Sequence, residues 1–91
     1  MGKETRLIKS EERKSRAEVS AFLHQLADKV NEGQVILRQG KEELTLTMPH
    51  SLILEIQAED EDKKRKGVQH SLEVEIKWFD EDYSGGPLEL G

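Results

Sequence analysis

The chain has 91 residues, the size of one small domain, and a formal net charge of −5 from 14 basic and 19 acidic side chains. It contains no cysteine, which excludes disulfides, thiolate nucleophiles and cysteine-ligated zinc. The acidic balance argues against nucleic acid as the main partner, and no apolar run approaches the roughly 18 residues that read as a membrane span. The first residues, Met1-Gly2-Lys3-Glu4-Thr5-Arg6, lack the apolar stretch of a signal peptide, and Arg6 stands where a myristoylation signal needs Ser or Thr. The expectation is a soluble, cytoplasmic protein. A composition that is 36% charged and 34% hydrophobic would suit a disordered chain, but the apolar residues are concentrated and periodic, as a modest core requires.

Taken in order, residues 1–5 are expected to be flexible, and Arg6-Leu7-Ile8-Lys9 has the composition of a short edge strand. Ser15-Arg16-Ala17-Glu18 has the spacing of a capping box, in which the serine hydroxyl and the glutamate satisfy each other's backbone amides. Val19, Phe22, Leu23, Leu26, Ala27 and Val30 then recur at helical spacing and predict an amphipathic helix from about Arg16 to Glu32. Gly33 is its natural left-handed stop.

Four strands should follow. Gln34 to Arg38 places Val35 and Leu37 on one face, and Gln39 to Glu43 supplies a glycine-containing hairpin connection. Leu44-Thr45-Leu46-Thr47-Met48 alternates until Pro49, which has no amide to donate to a ladder. The third strand runs from Leu52 to about Glu59 and the fourth from about Gln69 to Phe79, joined by a loop over residues 60–67. In the fourth, Leu72-Glu73-Val74-Glu75-Ile76-Lys77-Trp78 alternates apolar and charged residues and brings the only tryptophan into phase with the apolar set. Residues 80–91, broken by Gly85-Gly86-Pro87, read as a mobile tail.

One apolar helical stripe and one apolar sheet face are expected to bury each other. The predicted architecture is therefore a two-layer α+β domain over residues 6–79, one helix packed on a four- to five-stranded, mainly antiparallel sheet. Thr45, Thr47, Glu55, Gln57, Glu73, Glu75 and Lys77 should line its open, wet face.

No residues form a catalytic or phosphate-binding pattern, so no catalytic residue, metal site or cofactor is assigned. His24, His50 and His70 lack the spacing of a metal pair and read as solvated side chains. The run Glu59-Asp60-Glu61-Asp62-Lys63-Lys64-Arg65-Lys66 sets four acids before four bases, and the acids should screen the field of the bases within about 8–10 Å. It reads first as a solvated loop.

The order of Leu7-Ile8, Ser15-Arg16-Ala17-Glu18, Phe22-Leu23, Leu26-Ala27-Asp28, Glu32-Gly33, Leu44-Thr45-Leu46 with Pro49, and Leu72 to Trp78 resembles the amphi-Trp domain family. The resemblance covers residues 6–78, and the terminal amphipathic strand with its tryptophan gives that family its name. It implies a small prokaryotic domain of unassigned activity and supplies no catalytic residue. The leading expectation is a non-enzymatic module that binds a protein or small ligand through the wet sheet face or an edge strand, as a monomer or weak homodimer and away from membranes. The alternative is a nucleic-acid-associated protein using Lys63, Lys64, Arg65 and Lys66, with Arg6, Arg13, Lys14 and Arg16 as a second basic group.

Overall fold

The computed structural model describes residues 2–83. They form one helix, α1 (Arg16–Glu32), and four strands, β1 (Gln34–Gln39), β2 (Glu42–Thr47), β3 (Ile53–Asp62) and β4 (Val68–Lys77). Short 3-10 turns occupy Lys64–Lys66 and Asp80–Tyr83. The described residues fall into two compact units, divided between Met48 and Pro49.

In the first unit, α1 begins where its capping box dictates. Ser15 Oγ accepts from the Glu18 amide at 3.1 Å, and a Glu18 carboxylate oxygen accepts from the Ser15 amide at 3.0 Å. The helix ends at Gly33, whose φ of 87° lies in the left-handed region, and the Gly33 amide donates to the carbonyls of Lys29 and Val30. Because the chain turns at Gly33 straight into β1, the Gly33 carbonyl also accepts from the Met48 amide at 2.8 Å just past the end of β2.

Strands β1 and β2 pair antiparallel around a tight turn at Gly40, where φ is 60°. Their register sets Val35 opposite Leu46 and Leu37 opposite Leu44, so these four share the face predicted to be apolar. Val35 and Met48 are the buried hydrophobic residues, and α1 packs against β1. The helix covers this sheet only partly: Leu26 and Val30 are half-buried, whereas Phe22 remains 56% exposed.

The second unit is a long ribbon in which β3 pairs antiparallel with β4 from Ile53↔Lys77 to Asp62↔Val68. Both strands reach further toward the turn than the side-chain pattern predicts. Ladder hydrogen bonds are made by the backbone, so the polar pairs Asp60↔His70 and Glu61↔Gln69 extend the ribbon as readily as apolar ones. The expected loop over residues 60–67 therefore contracts to a turn over residues 63–67.

Two further expectations are corrected. The strands form two two-stranded sheets, β1–β2 and β3–β4, in place of one four- to five-stranded sheet. Residues 6–9 are not a strand; their segment is tied to β1 by a hydrogen bond from Gln39 Nε2 to the Lys9 carbonyl at 3.0 Å. Residues 80–83, the start of the predicted tail, form a 3-10 turn in which an Asp82 carboxylate oxygen accepts from the Phe79 amide at 2.7 Å. The remainder of that predicted tail, residues 84–91, lies outside the described residues.

Candidate functional site

The period of two along β3 and β4 gives the ribbon two unlike faces. The register sets Glu55 directly opposite Glu75 and Gln57 opposite Glu73, with Lys77 at the end of the same face. Five of the seven residues expected on a wet face are thus brought together. Thr45 and Thr47 stand on β2, in the other sheet and the other compact unit, so the expected continuous polar face is divided. A face defined by parity alone carries no information about which strands share a sheet.

Facing carboxylates repel, and a single cation answers them here. Lys77 Nζ lies 2.7 Å from a Glu55 carboxylate oxygen and 3.7 Å from one of Glu75. The hydrogen bond to Glu55, reinforced by the charges of Glu55 and Glu75, raises the Lys77 pKa above its ordinary value. Gln57 donates along its own strand to Glu59. Glu55, Gln57, Glu73 and Glu75 line, with Val74, a shallow hollow of about 330 Å³. Three carboxylates against one ammonium leave this face with a net negative potential suited to a cationic group.

The apex of the ribbon holds the predicted charged loop, and its acids and bases are not equivalent. Asp60 meets His70 Nδ1 at 2.6 Å, Glu61 pairs with Lys63 at 3.2 Å, and Asp62 accepts from the Lys64 amide at 2.8 Å. Lys64 sits at a φ of 58°, and the Lys63 amide closes the turn on the Gly67 carbonyl at 2.8 Å. Among the described residues, Lys64, Arg65 and Lys66 make no side-chain ion pair. Local geometry therefore engages the acids and leaves three cations projecting at the tip.

The second basic group lies in the other compact unit. Arg6, Arg13, Lys14 and Arg16 belong to the first unit, where Lys14 pairs with Glu12 at 3.2 Å. His24, His50 and His70 are all exposed, and no three His, Asp or Glu among the described residues are grouped to hold a metal ion. A groove that sequence reasoning missed runs between the segment from Ile8 to Lys14, α1 and β1, and exposes Val19 and Phe22. Its only sequence signal is that the apolar stripe of α1 is wider than a two-stranded sheet can cover.

The fold and its exposed surfaces define a small α+β protein built from a helix-backed hairpin and a long amphipathic ribbon. The sequence profile of the Amphi-Trp domain matches residues 1–90, and the chain belongs to that family. No curated protein and no solved structure matches it. No helix among the described residues is long and apolar enough to cross a membrane.

Proposed function

We propose that this protein is a non-catalytic binding module that receives a cationic protein segment or small ligand on the polar face of the β3–β4 ribbon. The observation that carries this reading is the alignment of Glu55, Glu73 and Glu75 on one exposed face with Lys77 as their single cation. Such a face is too charged for an obligate apolar interface and suits a transient, salt-sensitive partner. A cytoplasmic setting, and a layered arrangement of α1 on the β1–β2 sheet, belong to the same reading. They rest on the acidic, cysteine-free composition and on the packing of α1 against β1.

The test is titration of the full chain with a short lysine- and arginine-rich peptide, followed by amide chemical shifts. Shifts confined to Glu55, Gln57, Glu73, Glu75 and Lys77, and lost in Glu73→Lys combined with Glu75→Lys, are expected. Equal binding by that variant would overturn the proposal.

A second reading, association with nucleic acid through residues 63–66, draws support from the unpaired side chains of Lys64, Arg65 and Lys66. Three phosphate contacts would give a log–log salt slope of roughly −2 to −3 against a generic oligonucleotide. A flat slope removes that reading.

A further inference from the structure

The three carboxylates of the polar ribbon face are unequally engaged, and the difference arises wholly between β3 and β4. Lys77 Nζ reaches Glu55 at 2.7 Å and Glu75 at 3.7 Å, across the register pair Glu55↔Glu75. Glu73 stands opposite Gln57, whose side-chain amide is turned along β3 to Glu59. Among the described residues, Glu73 makes no ion pair. One end of the face thus already holds an alkylammonium group and the other does not. That ammonium belongs to the chain itself, and it shows which chemistry the facing carboxylates accept.

We propose that Lys77 is a displaceable placeholder at the Glu55–Glu75 pair, standing where a basic side chain of the partner segment goes. The placeholder role rests on the binding reading above and adds the pattern that the partner must carry. A first partner cation meets Glu73 without competition. Glu73 and Glu75 are two positions apart on β4, so they project to the same side at a spacing of roughly 6.5 Å. An extended segment with basic residues at alternate positions repeats that spacing. Its second cation arrives at Glu75 and displaces Lys77. Adjacent basic residues point to opposite sides of an extended segment and deliver one cation only.

The contact is weak enough to yield. The Lys77 and Glu55 side chains are 44% and 45% exposed, and ion pairs in such settings are favoured over their open form by only about 1.4- to 5-fold. Competition from the chain's own cation then weakens a partner by roughly two- to sixfold. Lys77 is at the same time useful to the empty protein, because it separates two facing carboxylates until a partner brings its own charge.

Titration of the full chain with two peptides of equal charge tests this, one with two lysines at alternate positions and one with two adjacent lysines. The alternating peptide should bind more tightly. At saturation it should also release Lys77, seen as a changed Nζ signal by nuclear magnetic resonance and a return of its raised pKa toward the ordinary lysine value. Lys77→Met should bind the alternating peptide roughly two- to sixfold more tightly than the parent, whereas Lys77→Arg, which keeps a cation, should match the parent. A purely structural lysine gives the opposite result, since its loss loosens the face and weakens binding. Far-UV circular dichroism checks folding; if Lys77→Met is unfolded, the Nζ signal of the parent decides alone. Unchanged or weaker binding by folded Lys77→Met overturns the proposal, as does an Nζ signal unmoved at saturation. Equal affinity for the two peptides overturns the alternating pattern. Absence of amide shifts at Glu73 and Glu75 in parent and variant alike overturns the binding reading itself, while shifts there with Lys77 undisplaced overturn only the placeholder.

Discussion

Gly33 joins the end of α1 to the start of β1, and its replacement isolates the contribution of one backbone dihedral. A Cβ built there would meet only the Met48 carbonyl at 3.6 Å, an ordinary contact, so the consequences of substitution come from the φ of 87° rather than from crowding. An L-residue held in the left-handed region costs about 1–2 kcal/mol. Against that, replacing glycine by alanine restricts the unfolded chain and returns about 0.4–1 kcal/mol. Gly33→Ala should therefore destabilise by about 1 kcal/mol net, or roughly 4–8 °C in Tm for a domain of this size. Gly33→Asn should cost less than alanine, since asparagine tolerates this region, and Gly33→Val should cost more, since a branched Cβ resists it. Urea denaturation followed at 222 nm measures all three variants with a common m-value. A neutral or stabilising Gly33→Ala, or asparagine as costly as valine, would refute the reasoning.

The remaining predictions follow from individual contacts. Ser15→Ala removes the hydroxyl that accepts the Glu18 amide and should cost about 0.5–2 kcal/mol, read as earlier urea unfolding with loss of helical signal. The Glu18 carboxyl is held below its ordinary pKa by the Ser15 amide and then by its hydroxyl. Its stabilisation is therefore complete above the ordinary carboxylate range and is lost as pH falls through the lowered folded value; a helix signal indifferent to acid in the parent but sensitive in Glu18→Gln would contradict this. Lys77→Met leaves Glu55 and Glu75 facing each other without their shared cation, and should speed amide exchange at the base of the ribbon. Because the Lys77 pKa is raised, its contribution is complete below the ordinary lysine value and fades as pH rises through the raised one. Trp78 is half-buried, so its emission should lie between the buried and solvent limits and be partly quenched by acrylamide; a fully shielded indole would show otherwise.

The sequence by itself determined the features written in nearest neighbours. The helix begins at Ser15 and ends at Gly33 because capping and left-handed stops involve residues a few positions apart. The parity of Val35, Leu37, Leu44 and Leu46, and of Leu54, Ile56, Leu72, Val74 and Ile76, is equally local, since it follows from the alternation of a single strand. Glu55, Gln57, Glu73, Glu75 and Lys77 were legible as one polar set for that reason.

The tertiary structure alone decided which strands share a sheet. Backbone donors and acceptors are the same at every residue, so nothing in the alternation of Thr45 and Thr47 separates them from Glu55 and Glu73. Only the observed pairings, β1 with β2 and β3 with β4, assign the two sets to different sheets. The same indifference of the ladder to side-chain polarity carried β3 and β4 through Asp60, Asp62 and His70, where the hydrophobic pattern stops. At the apex, the acids were drawn to neighbours and the three cations left projecting by the turn's geometry. A charge count along the chain does not encode that geometry.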